Sequence, residues 1–178
     1  GKIMDIGAIN QNGDTFHSSV ISDFLKFISS AEYLCGHNIV SHDIKYLKPY
    51  LKKSYTLIDT LYMSPILFPE RPYHNLVKDD KIISDQLNNP LSDSLKAKQL
   101  FEDEFERFKN LPENIKRSYY DLLKENDHFK GFFEYVVPPL EGFWWQDDVE
   151  GVDYTNKSAF NWISVIRLPD FILEDDLI

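Results

Sequence analysis

Two aspartates stand at the ends of predicted elements, Asp43 between a strand and a helix and Asp93 at the beginning of a long helix, where a hydrolytic metal centre could use them. Asp43 lies in Cys-Gly-His-Asn-Ile-Val-Ser-His-Asp-Ile-Lys-Tyr-Leu (35–47) and Asp93 in Asn-Asn-Pro-Leu-Ser-Asp-Ser-Leu-Lys-Ala (88–97). Two-metal phosphodiester hydrolysis requires several carboxylates converging on ions about 3.5–4 Å apart. Mg²⁺ accepts such oxygen ligands and keeps waters for the chemistry. Taken singly, each aspartate has a plainer explanation as a helix cap or first-turn acid, where the helix dipole favours negative charge. A second constellation sits near the C-terminal end: Glu141 beside Trp144 and Trp145, with Trp162 further on. A carboxylate among aromatic faces suits a cationic or hydrophobic guest, and its desolvation raises its pKa. Alternatively the tryptophans are core and Glu141 faces solvent, since strand residues alternate.

The elements that position these residues follow from the pattern. Residues 2–9 and 15–20 read as two strands joined by the turn Asn10-Gln-Asn-Gly-Asp14, a β-hairpin. Ser22-Asp23 ahead of Phe24, Leu25, Phe27 and Ile28 predicts a short helix with a serine or aspartate cap. Residues 33–38 read as a strand, 43–52 as a helix, and 57–60 as a strand tip followed by a loop through Pro65, Pro69 and Pro72. The spacing predicts a long helix over 92–108 with Leu95, Leu100, Phe101, Phe105 and Phe108 inward. A further helix after Pro112 carries Ile115, Tyr119, Leu122 and Leu123. Strands alternating with helices predict an α/β sheet with helical cover.

The character changes near Gly131. Residues 132–145 are apolar and aromatic, are interrupted by Pro138-Pro139, and show no helical period. A strand there, an acidic loop over 146–153, a short helix around Phe160-Asn-Trp and a last strand at 164–167 are expected. Two domains follow, 1–131 and an aromatic-rich α+β segment over 132–178. The β-prone aromatics after residue 131 also suit a segment that completes the sheet of the first part.

The chain has 178 residues, 43% hydrophobic and 15% aromatic, which is a globular composition. Its net charge of −10 and pI near 4.9 oppose nucleic-acid binding unless a local basic face or a linked module supplies the grip. One cysteine, Cys35, excludes an intramolecular disulfide. No run approaches the ~20 apolar residues of a membrane span, and a cytoplasmic location without membrane partners is expected.

Residues 35–47 resemble the second motif of the DEDD exonucleases, in which a strand ends in His-Asn and an aspartate opens the next helix. His37-Asn38 and Asp43 fit it, Ile58-Asp59-Thr60-Leu61 resembles the family's Asp-Thr strand end, and Asp93 its last acidic motif. Ile6-Gly7-Ala8-Ile9 is similar to the strand after the first motif, and 1–135 is especially close to exonuclease-like domains attached to RecQ-type DNA helicases. The resemblance implies a partial ribonuclease H-like domain and a 3′–5′ exonuclease with Mg²⁺ or Mn²⁺ on Asp43 and Asp93. It also implies single-stranded DNA or RNA ends near His37, Asn38, Asp59, Thr60 and His74, and a helicase module as partner. The family's general base, often a histidine five residues before the last aspartate, falls on Asn88; His74 or His42 is either its substitute or a surface or core-satisfied histidine. The first motif, Asp-x-Glu, would precede Ile6, so an inactive chain is expected. Residues 132–178 resemble the end of GyrI-like small-molecule-binding proteins, which implies a ligand site at Glu141, Trp144, Trp145 and Trp162. A domain with no chemistry, serving interaction alone, is the third expectation.

Overall fold

The structure, a computed structural model, describes residues 3–76, 89–136 and 160–167. Among these, five strands form one sheet in the order β2-β1-β5-β3-β4. β1 (Ile3–Asn10) and β2 (Thr15–Ser18) make the expected hairpin. Its turn is held by Asn10, whose Oδ1 accepts from the amides of Asn12 and Asp14, and by Gly13 at φ 88°. β3 (Tyr33–Gly36) and β4 (Thr56–Asp59) are parallel neighbours. Between β1 and β3 lies β5 (Phe160–Arg167), antiparallel to the first and parallel to the second. The C-terminal segment thus does complete the sheet.

Helices cover both faces, as an α/β fold with a buried sheet requires. On one face α1 (Ile21–Phe27) and α2 (Asp43–Leu47) close a core of Ile6, Ala8, Phe24, Ile28, Leu34 and Leu47. On the other, α3 (Thr60–Leu67), α4 (Pro90–Lys109) and α6 (Asp127–Val136) enclose Cys35, Ile58, Met63, Phe101, Phe132 and Phe133. Against this second core α5 (Glu113–Leu123) lays Tyr119, Tyr120 and Leu123. Alternation along β3 explains the division: Leu34 feeds one core and Cys35 the other. Among the described residues no helix is long and apolar enough to cross a membrane.

Several expectations are corrected. Helix α1 is capped by Val20 without a side-chain bond, and Asp23 instead pairs with Lys26. The helix over 43–52 stops at Leu47. Pro65 lies inside a helix, not in the expected loop. Leu95 and Leu122 are exposed, not inward. Residues 132–136 continue α6, and Phe160–Arg167 is a single strand with no helix at its start. Gly131 itself lies inside α6. Gly131 is needed there because its Cα rests on the backbone carbonyl of Leu57 in β4, leaving no room for a Cβ.

Candidate functional site

The His-Asn end of β3 and the Asp-Thr end of β4 form one nest. Asp59 is fully buried at the start of α3. Its Oδ1 accepts from the amides of Asn38 at 2.8 Å and Leu61 at 3.0 Å, and its Oδ2 from Val40 at 3.1 Å. The carboxylate therefore fastens the loop after β3 to the helix after β4. Asn38 sits at φ 67°, a left-handed conformation that asparagine tolerates better than most residues. His37 Nδ1 lies 3.0 Å from Thr60 Oγ1. Burial lowers the His37 pKa to about 4, so the ring is neutral at physiological pH. Burial raises the Asp59 pKa, while the three amides and nearby His128 pull it down. Asp59 and Thr60 are thus interior fastenings, both fully buried.

Asp43 is the first residue of α2 and is buried, with its Oδ1 3.3 Å from His42 Nδ1. Asp93 occupies the first turn of α4, whose cap is Asn89. Helix α4 starts hard against β1: a Cβ on Gly7 would strike the backbone of Pro90 and Leu91, and Ser94 Oγ donates to the Gly7 carbonyl at 2.9 Å. Asp43 and Asp93 thus open helices on opposite faces of the sheet. His74 Nδ1 is 2.9 Å from Ser64 Oγ, which ties it to α3. Asn88, Glu141, Trp144 and Trp145 lie outside the described residues, and Trp162 falls on β5 in register with Cys35.

The register shows what β5 brings to this place. Ser164 is opposite Gly7, on which α4 begins, and Trp162 is beside Cys35, just before the His37-Asn38 loop. The strand between these points, and all of Phe160–Arg167, contains no Asp or Glu. Among the described residues no group of three or more His, Cys, Asp or Glu is arranged to hold a metal ion. The described residues do not fit a two-ion centre.

Glu104 is not among the expected site residues. It is fully buried, and neither carboxylate oxygen has a hydrogen-bond partner among the described residues. Burial pushes its carboxyl well above the ordinary 4.5; Asp59 and Asp103 add to the rise and Arg71 opposes it. Buried atoms without described partners also include His37 Nε2 and His128 Nδ1, and His128 stacks on Tyr62 with centroids 3.8 Å apart. A sequence signal for Glu104 exists: Ala97, Phe101, Glu104 and Phe108 share one helical stripe, and all four are buried. No protein-family model, curated protein or solved structure matches this chain.

Proposed function

We propose that this chain is a nucleic-acid-binding domain of the DEDD exonuclease type, on a ribonuclease H-like fold, that holds single-stranded ends without hydrolysing them. The observation that carries the proposal is the position of β5. The resemblance of Ile6-Gly7-Ala8-Ile9 to the strand after a first acidic motif calls for a further strand in the sheet. β5 lies directly beside β1, between it and β3, and packs against the helix that Asp93 opens. Its residues are Phe-Asn-Trp-Ile-Ser-Val-Ile-Arg, so it supplies no carboxylate to clamp a second ion. Without such clamps the main source of transition-state stabilisation for phosphodiester cleavage is missing.

Thermal melts separate binding from metal chemistry. A single-stranded oligonucleotide at a hundredfold excess over its dissociation constant stabilises by ~2.7 kcal/mol, a rise of roughly 5–10 °C for a chain of this size. Mn²⁺ alone is expected to leave the midpoint unmoved, in the parent chain and in Asp43→Asn alike. A rise with Mn²⁺ that vanishes in Asp43→Asn would instead establish a working carboxylate site.

A further inference from the structure

Charge is unevenly spread over the described residues. Residues 41–56 hold four lysines and one carboxylate, Asp43, in a chain of net charge −10. Elsewhere most described lysines are tied to acids: Lys26 to Asp23, Lys98 to Glu102, Lys109 to Glu106, Lys116 to Glu113 and Lys130 to Glu134. Lys45, Lys48 and Lys52 are exposed and, among the described residues, have no carboxylate partner. The fold explains how they are presented. Helix α2 buries Asp43 and Leu47, which leaves Lys45 and Lys48, three residues apart, together on its outer side. Lys53 then anchors the segment, donating to the carbonyls of Ser29 at 2.8 Å and Ala31 at 2.7 Å.

Like charges grouped without acids repel one another and cost stability, so the arrangement calls for an anionic partner. Aromatic rings accompany the lysines: Tyr50 is 45% exposed, and Tyr46 meets His42 edge-on at 5.7 Å. Ammonium groups for phosphates and aromatic faces for bases are the means by which proteins hold single strands. A membrane is a poorer match. Its continuous anionic plane would meet the acidic remainder of the chain, whereas a single strand can follow a patch within the ~8 Å reach of charge at physiological salt.

We infer that Lys45, Lys48 and Lys52, with Tyr50, bind the phosphates and bases of a single-stranded nucleic acid, on the helix that Asp43 opens and the segment after it. The inference rests on the nucleic-acid reading above and names the surface that overcomes the net acidity. The test measures binding of a labelled single-stranded oligonucleotide against salt concentration. The chains compared are the parent, K45E/K48E/K52E, the milder K45Q/K48Q/K52Q, and a control, K109E/K116E/K130E, matched in charge to the first. Far-ultraviolet circular dichroism checks that each is folded. Both patch variants are expected to bind at least about tenfold more weakly at low salt. The slope of log affinity against log salt should fall by about 2 in magnitude, at ~0.7 for each phosphate that a lysine no longer neutralises. The control is expected to keep the parent slope. Equal weakening in control and patch variants would overturn the inference, because net charge would then govern binding. Patch variants that bind like the parent would overturn it too, while leaving the nucleic-acid reading standing. A parent chain that ignores the oligonucleotide but binds anionic phosphatidylserine vesicles would overturn both.

Discussion

At the scale of single residues, the polar interior around Asp59 is the most informative part of the molecule. Asp59 has partners for both oxygens, whereas Glu104, also buried, has none among the described residues. An acid whose pKa is raised by folding binds its proton more tightly in the native state. Its contribution is therefore complete below the ordinary value of 4.5 and is lost as pH rises towards the raised one. His37 has the opposite sign: its stabilising effect is present above 6.5 and is lost as pH falls towards about 4. Glu104→Leu should stabilise the chain by ~1–3 kcal/mol at pH 8, the cost of an unsatisfied buried polar group. The gain should shrink at pH 5. Urea midpoints at the two pH values check this, and equal gains would show that Glu104 does not titrate through folding. Glu104 is hard to read in the sequence because Glu102, Asp103 and Glu106 surround it and suggest a solvated face. His37-Asn38 and Asp59-Thr60 are legible because polar pairs closing apolar strands are conspicuous. Their interior, fastening role is not, since the pairing of β3 with β4 creates it.

At the scale of elements, the hairpin, β3, β4 and α4 are legible from periodicity and turn chemistry. The misread elements share a cause: a local breaker outweighed by tertiary packing. Pro65 suggests a loop, yet α3 accommodates it while burying Met63, Ser64 and Leu67. Gly131 suggests a boundary, yet Phe129, Phe132, Phe133 and Val136 already show helical spacing, with the last three buried. Gly131 is where α6 touches β4, so Gly131→Ala should destabilise by ~1–3 kcal/mol or more, as forced insertions into packed interiors do. A urea melt measures it, and a change under ~0.5 kcal/mol would mean that α6 does not rest on Leu57. From the sequence β5 is expected only as a last strand at 164–167, after a short helix around Phe160-Asn-Trp. Its place between β1 and β3 depends on long-range pairing, to which local periodicity is blind.

At the scale of the whole molecule, two features pull in opposite directions. The sheet and the helices opened by Asp43 and Asp93 give the layout on which the proposed exonuclease ancestry rests, while β5 fills its centre without a carboxylate. The chain is acidic overall, yet one exposed segment beside Asp43 concentrates lysines and a tyrosine. Together these are the features on which the proposal of a domain that grips a strand and does not cut it rests. The direct test is a fluorescence anisotropy time course with a 3′-labelled single-stranded oligonucleotide, Mn²⁺ and the intact chain at low salt. A saturable rise in anisotropy that holds steady for hours is expected. A rise followed by decay to the level of free label, absent in Asp43→Asn, would mean that the strand is being cut and would contradict a binding role without hydrolysis.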